Sequence, residues 1–132
     1  MSLIMVADDD GGVLELTGTI LRKAGHTVVT CISGRETLKK LGIFPEDPAA
    51  EVPDLLLLDI MMPGSDGYTV GTVIRSHKHT GRMPLVLLTA LREMTPLFSA
   101  TLKIDGFITK PFDPDVLISG VAKALEKSKA KS

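Results

Sequence analysis

The chain has a single cysteine, Cys31, and no excess of charge: 15 basic residues stand against 16 acidic ones, for a formal net charge of −1. One thiol cannot close an internal disulfide, so the fold must be held by its core. A near-neutral balance offers no electrostatic footprint for nucleic acid or a membrane surface, which argues against direct contact with either. Long apolar runs are missing too, and none approaches the roughly 18 residues that a membrane-crossing helix needs. Three aspartates by position 10 interrupt the start of the chain where a secretory leader would require its apolar core. These absences lead us to expect a cytoplasmic chain.

What is present is ordinary in bulk and specific in pattern. A length of 132 residues, 44% of them hydrophobic, suits one domain that needs no cofactor or staple to fold. We expect that single domain to span 1–132, with residues 1–2 compatible with an added leader and 127–132 with a frayed tail or the start of a linker. The stretch Leu55-Leu56-Leu57-Leu58-Asp59 is an apolar run that stops on one carboxylate, as a strand buried on both faces would. Pro63-Gly64 and Asp66-Gly67 then form a tight loop leading to a helix.

The same alternation recurs along the chain. Leu3 to Ala7 is a buried-strand run stopped by Asp8-Asp9-Asp10, and the helix after it places Val13, Leu16, Thr17, Ile20 and Ala24 on one face and ends at Gly25. His26 to Cys31 reads as a strand, and Ser33-Gly34-Arg35-Glu36 has capping-box spacing for a helix to about Leu41. Gly42 to Pro53, with three prolines and three acids, predicts a long and mobile surface loop of unassigned role. A helix from about Asp66 aligns Val70, Val73, Ile74 and His77. Pro84 to Leu88 is a fourth buried strand with Thr89 at its end, and Thr95-Pro96 opens a short helix to about Lys103. Asp105 to Thr109 is a polar, edge-like strand, and Asp113-Pro114 starts a last helix that buries Leu117, Gly120, Val121 and Ala124. His77 and His79 fit a solvated helix end, and Cys31 fits a small buried hydrophobe.

Five strands alternating with five helices imply an α/β fold with a parallel sheet covered on both faces. Its carboxyl edge is where such sheets bind ligands. Asp8, Asp9, Asp59, Thr89 and Lys110 all fall at that edge. Three carboxylates gathered there repel one another, and a hard dication such as Mg2+ relieves them most cheaply. A lysine and a threonine hydroxyl beside them suit phosphoryl oxygens.

Asp8-Asp9-Asp10, the run from Asp59 to Gly67, Leu88-Thr89-Ala90 and Lys110-Pro111-Phe112, in this order, make the chain resemble a response-regulator receiver domain, the phosphoacceptor of two-component signalling. The resemblance covers nearly the whole chain. It implies a flavodoxin-like fold, a (βα)5 sandwich with strand order 2-1-3-4-5. It implies that Asp59 takes a phosphoryl group from a phosphohistidine on a sensor histidine kinase or a histidine phosphotransfer protein. Asp8, Asp9, Asp59 and the backbone carbonyl of Met61 would hold Mg2+, while Lys110 and Thr89 bind the phosphoryl oxygens. Thr89 and Phe107 would form the switch, with phenylalanine where tyrosine is commoner. The surface made by the fourth helix, fifth strand and fifth helix would then recruit a downstream protein, a fused output domain or a second copy.

Two other functions fit the residues less well. An aspartate-nucleophile phosphatase would want a second aspartate two residues after Asp59, and Met61 stands there. An interaction module without phosphate turnover would usually lack one of the acids or the lysine. The domain is thus expected not to be an enzyme beyond assisting its own phosphorylation and slow dephosphorylation. Met61 and Leu91, which in this family flank the path of hydrolytic water, are both apolar and cannot orient it. Self-dephosphorylation is therefore expected to be slow, and to quicken in Met61→Asn. Loss of phosphate within seconds, unaltered by that substitution, would contradict it.

Overall fold

The structure is a computed structural model describing residues 2–60, 67–90 and 103–131. Five strands, β1 (Leu3–Ala7), β2 (Thr27–Cys31), β3 (Leu55–Asp59), β4 (Leu85–Thr89) and β5 (Gly106–Thr109), form one sheet in the order β2-β1-β3-β4-β5. Every neighbouring pair is parallel. The described helices are α1 (Gly11–Lys23), α2 (Gly34–Lys40), α3 (Gly67–Ser76) and α4 (Pro114–Lys131). The helix expected between Pro96 and Lys103 lies outside the described residues except for Lys103.

Alternation along the strands divides the core in two. Ile4, Val6, Leu55, Leu57, Val86, Leu88 and Ile108 meet Leu14 and Leu21 of α1 and Leu117, Val121 and Ala124 of α4. Met5, Ala7, Leu56, Leu58, Leu85 and Leu87 point the other way, onto Val70 and Ile74 of α3 and onto Leu41 and Ile43 beyond α2. All five residues of β3 and of β4 are buried, which explains their uninterrupted apolar sequence.

Local signals at the helix ends are realised in hydrogen bonds. Asp10 caps α1, its Oδ1 accepting from the amides of Gly12 and Val13 at 2.9 and 3.2 Å. Ser33 Oγ accepts from Glu36 N at 3.1 Å, and the Glu36 carboxylate accepts from Ile32 N at 3.2 Å, one residue ahead of the usual capping-box partner. Asp113 Oδ1 accepts from Val116 N at 2.9 Å at the start of α4. Cys31 is fully buried, and burial pushes its thiol up to about 11, which leaves it a packing residue.

One expectation needs correction. The buried stripe of α1 is Leu14, Thr17, Gly18 and Leu21, one position on from the predicted face, and Leu16 is 54% exposed. Apolar residues surround this helix, so periodicity alone allowed two stripes; side-chain-free Gly18, which lies near Val28, favours the one that approaches the sheet. The helix α4 runs to Lys131, and Lys127 and Lys129 near its end are the cations that a helix C-terminus favours. The Gly42 to Pro53 loop is largely exposed, yet it is folded on itself and tied to the end of α3. Asp47 N donates to Gly42 O at 2.8 Å, Ala50 N to Asp47 O at 3.1 Å, and His79 Nε2 donates to Ala50 O at 3.1 Å.

Gly42 closes that loop with φ +72°, and an added Cβ would run into Asp47 O and lie 2.6 Å from Ala50 Cβ. Gly42→Ala is expected to cost about 2 kcal/mol or more in chemical denaturation, combining left-handed backbone strain with this overlap. A loss within about 0.5 kcal/mol, the range of neutral surface changes, would count against the loop's closed form.

Candidate functional site

Counting by twos along the strands builds the site. Asp8 follows Ile4 and Val6, Asp59 follows Leu55 and Leu57, and Lys110 follows Ile108, all with the parity that faces α1 and α4. Parallel pairing in the order β1-β3-β4-β5 sets their carboxyl ends side by side. The result is close contact between residues about a hundred positions apart. Lys110 Nζ lies 2.7 Å from Asp8 Oδ2 and 3.6 Å from Asp59 Oδ2.

Asp8 is fully buried and Asp59 is 4% exposed, while Asp9 is open to solvent. One oxygen from each of these three carboxylates falls within 4.8 Å of the others. The remaining Asp8 oxygen, Oδ1, accepts from Asp10 N at 2.9 Å. The three consecutive acids thus divide their work: Asp10 caps the helix, and Asp8 and Asp9 face the pocket. Burial works against the Lys110 ammonium, but its hydrogen bond to Asp8 and the charges of Asp59 and Asp8 outweigh that penalty and raise its pKa.

Among the described residues, three carboxylates against one ammonium leave the pocket two negative charges in excess. The donor set is all oxygen and anionic, which fits a hard cation of the Mg2+ type rather than a soft one. Thr89 is 1% exposed at the end of β4, and its carbonyl accepts from Lys110 N at 2.8 Å, so the backbone joins these two residues directly. By strand parity, however, Thr89 follows Leu85 and Leu87 of the other layer. Phe107 is 53% exposed and lines a groove between β5 and α4 of about 620 Å³. Met61 and Leu91 lie outside the described residues.

Gly67 is a positioning feature that the sequence signalled only as part of a loop. Its amide donates to Ile60 O at 3.0 Å, and a Cβ on it would strike the Asp59 carbonyl and Ile60 Cα. The first turn of α3 therefore sits directly on the backbone of Asp59. Arg75, near the other end of α3, carried no local signal at all; its contacts appear only in three dimensions.

A parallel 2-1-3-4-5 sheet with an acidic pocket at its carboxyl edge is the receiver arrangement of signal-transduction proteins. The chain belongs to the response regulator receiver domain family, whose model matches residues 4–122. It is 33% identical over 126 residues to the alkaline phosphatase synthesis transcriptional regulatory protein PhoP of Bacillus subtilis (strain 168), covering 95% of this chain and 49% of that one. A CheY-like response regulator receiver domain protein from Methanospirillum hungatei JF-1 superposes with a TM-score of 0.85 at 25% identity, over 100% of this chain and 99% of its own. The signal receiver domain of a signal transduction histidine kinase from Syntrophus aciditrophicus gives 0.82 at 28% identity, over 96% and 92%. The chain spans about half the length, or less, of the curated relatives it matches.

The excess charge predicts how the pocket responds to loss of its cation. Lys110→Met should cost roughly 2 to 3 kcal/mol in chemical denaturation without divalent ions, because the buried Asp8 and Asp59 carboxylates lose the ammonium that pairs with both. Folding raises the Lys110 pKa above its ordinary 10.5, so its contribution is complete below 10.5 and is lost as pH climbs through the raised value. The gap between wild type and Lys110→Met should accordingly be level near neutrality and close only in strong alkali. A gap that vanished already between pH 7 and 9 would contradict the ion pair.

Proposed function

We propose that the chain is a phosphoacceptor receiver in which Asp59 is the nucleophile. The observation that carries this is the Lys110 ammonium poised between Asp8 and Asp59. A cation held there compensates the buried acids while the site is unmodified, and it is placed to meet an oxygen of a phosphoryl group on Asp59 afterwards.

Asp8, Asp9, Asp59 and the backbone carbonyl of Met61 would hold Mg2+. Bound there, that ion supplies neutralising charge to the carboxylates and to the phosphoryl oxygens. An Asp59 carboxylate oxygen attacks phosphorus in line with the departing nitrogen. The new O–P bond forms as the N–P bond of a phosphohistidine breaks, and the electron pair leaves with the imidazole of a sensor histidine kinase or a histidine phosphotransfer protein. Lys110 and the Thr89 hydroxyl bind the transferred group's oxygens. Catalysis here is positioning and charge neutralisation, with little covalent work asked of the protein. Histidine kinases and response regulators frame the family; the donor and output assigned to this chain are our inference.

Phosphorylation adds charge and acceptor oxygens at the end of β3, which draws the Thr89 hydroxyl inward. Phe107, now on the surface, would turn toward the space that Thr89 leaves. The face formed by residues 96–103, β5 and α4 would then engage a downstream protein, a fused output domain or a second copy of the chain. Apolar Met61 and Leu91 support slow hydrolysis of the phosphoryl group. No helix among the described residues is long and apolar enough to cross a membrane, and we place the domain in the cytoplasm as one receiver unit of 1–132.

A small acyl phosphate with Mg2+ should label the wild-type protein on one alkali- and hydroxylamine-sensitive site, and beryllofluoride should occupy the same site. Asp59→Asn, or chelation of the metal, should abolish both. Labelling of Asp59→Asn at the wild-type level would overturn the assignment.

A further inference from the structure

β5 has little of its own to hold it in register. It is a four-residue edge strand, and only Ile108 within it is buried. Ile104, just ahead, is partly buried against the other layer. Register is specified strongly where one face of a strand is buried along its length, and weakly where it is not. A slip of one residue would carry Lys110 about 3.3 Å along the strand and turn its side chain to the opposite face. Contact with Asp8 at 2.7 Å could not survive either change.

A polar clamp stands at the far end of this strand, across the sheet from the acidic pocket. Asp105 N donates to Leu85 O at 2.8 Å, and Asp105 Oδ2 accepts from Leu85 N at 2.9 Å, so this residue is paired to the first residue of β4 through both its amide and its side chain. Arg75 completes the arrangement. Its NH1 donates to Gly81 O at 3.1 Å and to Met83 O at 2.6 Å, and its NH2 donates to Lys103 O at 2.9 Å and to Asp105 Oδ2 at 3.3 Å. Lys103 adopts φ +53°, an uncommon conformation for a residue with a side chain, and its carbonyl is among the acceptors that Arg75 engages. One planar guanidinium thereby joins the end of α3, the approach to β4 and the approach to β5. A lysine could not reproduce this, because it is a point charge without the rigid fork.

We propose that Arg75 is a positioning residue for the site: by tying Lys103 and Asp105 to the start of β4, it sets the register of β5 and so the reach of Lys110 to Asp8 and Asp59. Arg75 touches none of the pocket residues named above and acts through the strand. Its effect on phosphoryl binding rests on the function proposed above; its effect on the placement of Lys110 does not.

The test reads the two separately. Competitive acylation of lysines, followed by mass spectrometry on the full chain under native conditions, reports how well Lys110 is protected by its ion pairs. Beryllofluoride affinity in Mg2+ reports the site. Arg75→Met should expose Lys110 to acylation several-fold faster than wild type, speed amide exchange at 107–109, and weaken beryllofluoride binding roughly tenfold. Arg75→Lys should recover only part of the protection. Asp105→Asn removes the charge pair from the other side and should act in the same direction, which keeps the test open if Arg75→Met does not fold. Leu38→Ala, a destabilising change against the opposite layer, should leave Lys110 protected. Unchanged Lys110 protection in folded Arg75→Met and in Asp105→Asn would overturn the proposal, as would equal exposure in Leu38→Ala. Exposure of Lys110 without loss of beryllofluoride affinity would support the positioning role and overturn the part assigned to Lys110 in phosphoryl binding.

Discussion

A single ammonium held against two buried carboxylates is the contact on which the working end of this domain depends. Asp8 and Asp59 close five- and four-residue apolar runs at the ends of two inner strands, where both are buried. Two such charges side by side would be strongly unfavourable alone. Lys110 makes the arrangement tolerable, but it leaves one more acid, Asp9, and an overall negative excess. The pocket is therefore stable enough to fold and still short of positive charge. On the function proposed above, that shortage would draw a dication, whose charge in turn would make an anionic phosphoryl group acceptable.

Precision at this edge comes from elements that never touch it. Gly67 lets the first turn of α3 rest on the backbone of Asp59, so the main chain of Asp59 is braced from one side. At the opposite edge of the sheet, Arg75 and Asp105 bind the starts of β4 and β5 together, while Lys110 N and Thr89 O join their ends at 2.8 Å. The β4–β5 pair is thus pinned at both extremities. Whatever the connecting residues between them do, the two strands that carry Thr89 and Lys110 keep their relation to each other. A strand with one buried side chain gains from polar contacts the register that its neighbours obtain from apolar packing.

Much of this was readable from the chain. Runs such as Leu55 to Leu58 have no other simple interpretation than buried parallel strands, and the acids or hydroxyls that end them had to collect at one edge once the strands were parallel. Cap signals at Ser33 and Asp113 were local and were realised locally. The α1 stripe was misread because Val13, Leu14, Leu16, Ile20 and Leu21 surround the helix axis, and periodicity cannot choose between two apolar faces when both exist. The prolines and acids of the Gly42 to Pro53 loop announce its exposure, whereas its closure depends on a positive φ at Gly42 and on His79, which is distant in sequence.

The order of apolar runs, turns and charged ends therefore settled the α/β class and which residues could meet, because strand parity and parallel pairing are short-range consequences of the pattern. How closely they meet was decided in three dimensions alone. The 2.7 Å contact of Lys110 with Asp8, the seat of Gly67 on Asp59 and the bonds from Arg75 to Lys103 and Asp105 all depend on how the elements pack against one another. No periodicity or local preference encodes such distances; they exist only after the sheet has closed and its layers have packed.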